Sequence, residues 1–319
     1  MYRTNTHIHS PYSFSISKSV NEIIKLAKKE NIKVIGINDF FTTAAFKELS
    51  KSQLDNIYPM YNIEIFCIDD VLADQNIRLN DRRKPGKVYL TGKGIQYPYS
   101  ISSDLSKRLS VQRTKRNLAA KDSVELINNK VGDRIINFEE IYGSTRGYVS
   151  NRHIKKSIPN EAWSKYSNTL IDIDDWFVQE EYMSLESGLK LLDDMGCVKC
   201  YPLLLDDDDG SFSELEENLI SLKDYLLKHG ISCVEFIPGR NSSQVVETAV
   251  DFFVGHGFIV LAGSEHHSMT LGHTSLLLDI TKRVEEIVFK GCCSIVSYQH
   301  IGILDEQVGF DIISKCVNK

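Results

Sequence analysis

The residues best placed by type and spacing to do chemistry are His7 and His9, in the run Thr4-Asn-Thr-His-Ile-His-Ser10. Side chains on a β-strand alternate between faces, so residues two apart point the same way. Two neutral imidazoles rising together from a strand end can share one divalent ion. Three further elements bring polar groups to apolar runs. Asn38-Asp39 follows Ile32-Lys-Val-Ile-Gly-Ile37, Glu64 lies between isoleucines in Asn62-Ile-Glu-Ile-Phe-Cys67, and Gly263-Ser-Glu-His-His267 follows Phe258-Ile-Val-Leu-Ala262. A mixed imidazole and carboxylate set suits Zn, Mn or Fe better than Mg or Ca.

The elements that must position these groups alternate in type. Residues 4–10 read as a strand, and 19–30 as an amphipathic helix with Val20, Ile23, Ile24, Leu26 and Ala27 on one face. The run over 32–37 is almost continuously apolar, as in a parallel strand covered on both faces. After a break the rhythm resumes: helix 184–195, strand 197–205, helix 213–229, strand 232–237, helix 243–256 and strand 258–262. A closing helix from about 280 and a last strand over 294–297 complete the expectation. Strands alternating with helices predict an α/β fold with parallel β/α units. In a β/α barrel the strand C-terminal ends share one face, where sites are built.

Two stretches interrupt the pattern. Over 69–98, Arg78, Arg82, Arg83, Lys84, Lys87 and Lys93 crowd around Pro85-Gly86 and Gly92-Lys93-Gly94, a cationic loop that could hold a phosphate or simply be solvated. Residues 102–159 read as a helical insertion, with a long charged helix over 103–129 and another over 133–142 for which Asn137 is a candidate N-cap. The barrel then comprises 1–101 and 160–319.

The 319 residues carry 42% hydrophobic and 25% charged side chains, ordinary for a soluble globular chain. A net charge of −6 argues against bulk nucleic-acid binding. No run approaches the roughly 18 apolar residues of a membrane span. The opening residues show no signal-peptide pattern, and seven scattered cysteines suit a reducing cytoplasm. Cys197-Val-Lys-Cys200 has CxxC spacing but runs into an apolar strand, and Asp206-Asp-Asp-Asp209 reads as a solvated turn.

Taken in order, Thr6-His-Ile-His-Ser10, Gly36-Ile-Asn-Asp39, Asn62-Ile-Glu-Ile65 and Leu261-Ala-Gly-Ser-Glu-His-His-Ser268 resemble the motifs of the PHP (polymerase and histidinol phosphatase) family, typically D-L-H-x-H, I-T-D-H, G-x-E-I and G-S-D-x-H. Gln112-Arg-Thr-Lys-Arg-Asn117, Ile135-Ile-Asn-Phe-Glu-Glu140 and Ser150-Asn-Arg-His-Ile154 look like the helical insertion of the branch that dephosphorylates nucleoside 3',5'-bisphosphates. The resemblance implies a distorted (β/α)7 TIM-like barrel that hydrolyses phosphate esters with up to three metal ions. By position it implies His7, His9, Glu64 and Glu265 as metal ligands, with Glu64 bridging. Asp39, His153 and His267 take catalytic positions, the two histidines as candidate general acids. Arg152, Arg240 and Lys93 are candidate phosphate-binding residues.

The departures narrow that expectation. Phe40, Tyr89 and Tyr201 stand where the family has metal-ligating histidines, and Asn5 replaces the opening acid. Phenylalanine cannot ligate, and a phenol with pKa near ~10 is a poor substitute for imidazole. The expectation is therefore a metal-dependent phosphoesterase with fewer than three ions, acting on a small phosphate ester or nucleotide. Two alternatives stand beside it: a degenerate barrel serving as a binding or structural module, and a metal-assisted sugar isomerase or other amidohydrolase-like enzyme, which also carries HxH on its first strand.

Overall fold

The structure, a computed structural model, describes residues 2–206, 210–266 and 275–318. Among the described residues eight strands form one sheet: β1 (Arg3–Ile8), β2 (Ile32–Phe40), β3 (Tyr58–Ile68), β4 (Lys87–Lys93), β5 (Met183–Ser184), β6 (Val198–Pro202), β7 (Cys233–Phe236) and β8 (Ile259–Ala262). Their order is β1-β2-β3-β4-β6-β7-β8, with β5 paired to β3. A parallel bridge between Ile8 and Glu265 brings the chain beyond β8 back to β1, so the seven main strands nearly close into a TIM-like barrel.

The barrel departs from a uniform β/α repeat at β4, which runs antiparallel to both β3 and β6. Parallel strands need a long crossover, usually a helix, whereas antiparallel neighbours do not. Between β3 and β4 the main helical piece is only Asp70–Asp74, too short to return the chain across the sheet. Part of the cationic stretch thus becomes a strand, and Lys93, expected on a phosphate-binding loop, is fully buried inside the barrel.

Local chemistry accounts for the outer helices. In Val20–Lys29 the Ser19 hydroxyl caps the Glu22 amide, and Val20, Ile23, Ile24 and Ala27 bury one stripe. Asn137 caps Phe138–Gly143, so that helix starts later than 133. Likewise Asn218 accepts from the Ile220 and Ser221 amides and starts Leu219–Lys228 well after 213. The expected strand over 294–297 lies instead within the helix Lys282–Ile301. Its buried residues Val284, Val288, Cys292, Ile295 and Val296 recur at helical spacing and face β8 and β1. Apolar content over 294–297 suggested a strand, but the longer period decides.

Helices from Ser103 to Trp176 gather a separate apolar cluster around Ala120, Ile127, Ile141, Ile154 and Phe177. The barrel interior is different in kind. Asn5, Thr6, His7, Asn38, Asn62, Thr91, Lys93 and Glu235 are all fully buried. The Thr6 carbonyl alone accepts from Asn38 Nδ2 (3.1 Å), Asn62 Nδ2 (3.0 Å) and Lys93 Nζ (3.0 Å). Such groups are tolerated away from water only when hydrogen-bonded.

Candidate metal centre

His7, near the end of β1, and His9, just beyond it, aim at Glu64 in β3. His7 Nε2 and His9 Nε2 each lie 3.2 Å from Glu64 Oε2. Ligand atoms of the three residues lie within 4.8 Å of one another, and all three residues are buried. It is the one cluster of at least three His, Cys, Asp or Glu ligands among the described residues.

Hydrogen bonds behind the rings assign the protons. Glu235, on β7, takes His7 Nδ1 at 2.7 Å with Oε2. Thr6 Oγ1 donates to its Oε1 (2.6 Å), and Lys93 Nζ lies 2.7 Å from both oxygens. An ionised carboxylate only accepts, so His7 Nδ1 carries a proton. Behind His9, Ser13 Oγ is 3.0 Å from Nδ1 and donates to Asp39 Oδ1 at 3.0 Å. With its hydroxyl hydrogen on Asp39, Ser13 accepts from His9 Nδ1–H. Both rings therefore turn the Nε2 lone pair towards Glu64 Oε2. Three acceptors facing one another require a cation between them, either a proton or a metal ion.

The titration of these groups shows the same demand. Burial opposes charge on His7, yet Glu235 and Glu64 outweigh it and push the imidazole up to about 10. Burial likewise favours the neutral form of Glu64, but His7 and His9 pull the carboxyl down to about 2. Glu235 is also lowered, because Lys93 and His7 overcome its desolvation.

Asp39 sits one layer behind the ligands. Its carboxylate accepts the Ser10 amide (2.8 Å), Ser10 Oγ (2.5 Å) and Ser13 Oγ, which makes it the anchor of His9. Glu265 is carried to the rim by backbone bonds to β1, its amide donating to the His7 carbonyl at 2.8 Å and its carbonyl accepting from the His9 amide at 3.0 Å. Its carboxylate lies on Arg240 Nη1, at 3.2 and 3.3 Å, so the expected fourth metal ligand is placed on an arginine and outside the His7, His9 and Glu64 cluster. A Cβ on Gly263 would come 2.1 Å from His7 Cβ, so glycine is what permits this approach.

Arg152 joins the same corner: Glu265, Arg240, Tyr89 and Arg83 all act on its charge, and its guanidinium lies over Phe14. The structure thus gathers Arg152 and Arg240 but puts Lys93 elsewhere. Lys93 is a correction to the phosphate-binding set, because its ammonium is committed to Glu235 and the Thr6 carbonyl. His153 closes a capping box, its Nδ1 accepting the Ser150 amide at 3.0 Å. Burial, with Lys156 and Arg116 nearby, pushes its pKa down to about 4. At neutral pH it is a neutral ring that offers Nε2–H, so it lacks the imidazolium proton a general acid would give. His267 and Asp207 to Asp209 lie outside the described residues.

Of the replaced histidines, Phe40 stacks on His9 at 5.0 Å and on Tyr148 at 5.6 Å. Tyr89 Oη accepts from Lys87 Nζ at 2.8 Å. Tyr201 is fully buried in the hydrophobic core.

Sequence reasoning missed Glu235, Lys93 in its present role, Ser13, and the work of the 112–117 segment. Glu235 carried the signal that found Glu64, a lone acid in an apolar strand, Cys233-Val-Glu-Phe236. In 112–117, Arg113 Nη1 donates to the Tyr12 and Phe40 carbonyls, both at 3.0 Å. Arg116 holds the Val149 carbonyl (3.1 Å) and Glu180 (2.9 Å), and Asn117 bonds Gly147 and Val149. The segment clamps the arm bearing Arg152 and His153 over the barrel mouth.

No protein-family model and no curated protein matches the chain. Solved structures do. One is a "putative metal-dependent phosphoesterase" from Bifidobacterium adolescentis, at 17% identity and TM-score 0.65, matched over 90% of this chain and 96% of that one. Another is an amidohydrolase from Chromobacterium violaceum with bound sulfate and no metal, at 16% identity and TM-score 0.62, matched over 89% and 95%. At these identities the likeness establishes the barrel fold, shared along nearly the whole length of each chain.

Proposed function

We propose that the protein is a metal-dependent phosphoesterase of PHP-like type with a reduced, one-ion centre built on His7, His9 and Glu64. The observation that carries this reading is the convergence of two Nε2 lone pairs and a carboxylate oxygen, with both imidazole protons held on the far side by Glu235 and Ser13. Metal-binding histidines are oriented in this way by partners behind them. The donor set suits Zn, Mn or Fe. Such an ion supplies Lewis acidity and an activated water. Phe40, packed on His9, takes the place of a further ligand and keeps the centre small.

Around the centre, Arg152 and Arg240 supply positive charge for a phosphate group, and Glu265 orients Arg240. The His153 Nε2–H is a donor for a substrate oxygen. The neighbours described as a metal-dependent phosphoesterase and an amidohydrolase favour hydrolysis on this barrel. The substrate is a small phosphate ester or a nucleotide. No described helix alone is long and apolar enough to cross a membrane.

The test is metal analysis of protein grown with Zn, Mn and Fe, beside the His7→Ala/His9→Ala variant. Bound metal lost in the variant is expected, and metal-free wild type would overturn the reading. Loaded protein is then assayed on p-nitrophenyl phosphate, a phosphodiester, a nucleoside bisphosphate and a uronate. Turnover of the uronate alone would indicate an isomerase. Silence on all four would favour a binding module, the second reading, to which Phe40, Tyr89 and Tyr201 at ligand positions lend support.

A further inference from the structure

Lys93 is a costly residue where it stands. Its side chain and that of Glu235 are fully buried, with the ammonium 2.7 Å from each carboxylate oxygen. Desolvating two such charges cancels most of their attraction, and apolar residues of similar volume usually serve stability as well or better. A methionine would fill most of the same space. Stability therefore gives no reason for the pair, but geometry does.

An ammonium has three protons, and its contacts here are the two oxygens of Glu235 and the Thr6 carbonyl. Bound at both oxygens, the Glu235 carboxylate cannot turn about its own axis. Thr6 Oγ1 occupies Oε1 from a further side, and Oε2 is left facing His7 Nδ1 at 2.7 Å. The chain of contacts runs from β4 through β7 to β1 and ends on a metal-ligand candidate.

We propose that Lys93 is a positioning residue for the metal centre. It acts through Glu235, fixing the carboxylate so that His7 is held as the Nδ1–H form with Nε2 directed at Glu64. The inference rests on the metal-centre reading given above, and it assigns to Lys93 a role distinct from phosphate binding.

The experiment compares metal-free wild type with Lys93→Met and with the pair Lys93→Met/Glu235→Gln, which leaves neither buried charge without its partner should the single variant not fold. Far-UV circular dichroism and thermal melts report the fold. Competition with a chromophoric chelator reports the Kd for Zn²⁺, and ¹⁵N-histidine NMR reports the His7 ring, assigned with His7→Ala. Loss of a partner behind a ligand typically weakens metal affinity 10- to 100-fold. A Zn²⁺ Kd at least ~10-fold weaker in folded variants, with loss of the His7 Nδ1–H signal, is expected. Wild-type affinity and an unchanged His7 signal in a folded variant, even with a lowered melting temperature, would overturn the inference. If wild type binds no Zn²⁺, the metal-centre reading fails by itself. The NMR signal then decides on Lys93: its loss in the variants supports the positioning role, and its persistence refutes it.

Discussion

Replacing Ser13 by alanine tests whether the geometry behind His9 matters as the structure says. Ser13 is 1% exposed, and its hydroxyl is 3.0 Å from both His9 Nδ1 and Asp39 Oδ1. The variant removes the acceptor of the His9 proton and one of three donors to Asp39, while the Ser10 amide and hydroxyl stay in place. A buried polar group deprived of its partner costs about 1–3 kcal/mol, which sets the expected loss of stability for the metal-free protein. The ring then loses one of the contacts that orient it, so Zn²⁺ affinity falls 10- to 100-fold, about 1.4–2.8 kcal/mol. Thermal melts read both. At a zinc concentration of about 100 times the wild-type Kd, wild type gains about 2.7 kcal/mol, and Ser13→Ala gains about 1.4 or 0.4 kcal/mol for a 10- or 100-fold weaker Kd. The zinc-induced rise in melting temperature should therefore fall to about half or less. An equal rise in both proteins would refute the relay from Asp39 through Ser13 to His9.

Three further outcomes are expected. Glu216 accepts the Leu204 and Leu205 amides, yet complete burial raises its pKa from 4.5 to about 7. The folded protein then holds this proton more tightly than the unfolded chain, so the contribution is full below pH 4.5 and is lost as pH rises to about 7, by about 3 kcal/mol. Urea midpoints across that window should fall with pH in wild type more steeply than in Glu216→Gln, and parallel profiles would contradict the assignment. Gly263→Ala forces a methyl within 2.1 Å of His7 Cβ, and overpacking of this kind costs about 1–3 kcal/mol, so an unchanged urea midpoint would show that β8 and β1 do not meet as described. Arg240→Gln, at a rim position, should weaken inorganic phosphate binding by about tenfold with little change in melting temperature, and equal phosphate affinity would remove Arg240 from the anion site.

Much of the fold was legible because the period of apolar residues is local information. The strands at 32–37 and 258–262, and the helix face of Val20, Ile23, Ile24 and Ala27, are written in neighbouring residues. What failed was of three kinds, and the first is the stretch 294–297, read as a strand although it lies within the helix Lys282–Ile301. Element ends depend on which polar side chain caps the amides: Asn137, the candidate cap, starts its helix at 138 and not at 133, and Asn218 starts another at 219 and not at 213, a choice that propensity leaves open between nearby polar residues. The direction of β4 depends on the length of helix its connection contains, which the residues of the strand itself do not record; Leu90 is buried on one face of β4 and Thr91 and Lys93 on the other.

The candidate site divides along the same line. His7, His9 and Glu64 were legible because spacing and an acid in an apolar run mark them within a few residues, and the structure brings the three together. The groups that orient them were not, since Lys93 and Glu235 are 142 positions apart, and His7 and Glu235 are 228 apart. A lysine amid basic residues reads as a solvated cation until a buried acid is placed against it. Burial is what converts both. Once Lys93 and Glu235 share the barrel interior, each is the reason the other can remain charged, and the surplus acceptor on Glu235 is spent on His7. A buried acid in an apolar strand is thus a request for a partner: Asp39 finds an amide and two hydroxyls, whereas Glu64 and Glu235 each face positive charge. Lys93 answers one; the centre formed by His7, His9 and Glu64 is the place for the other.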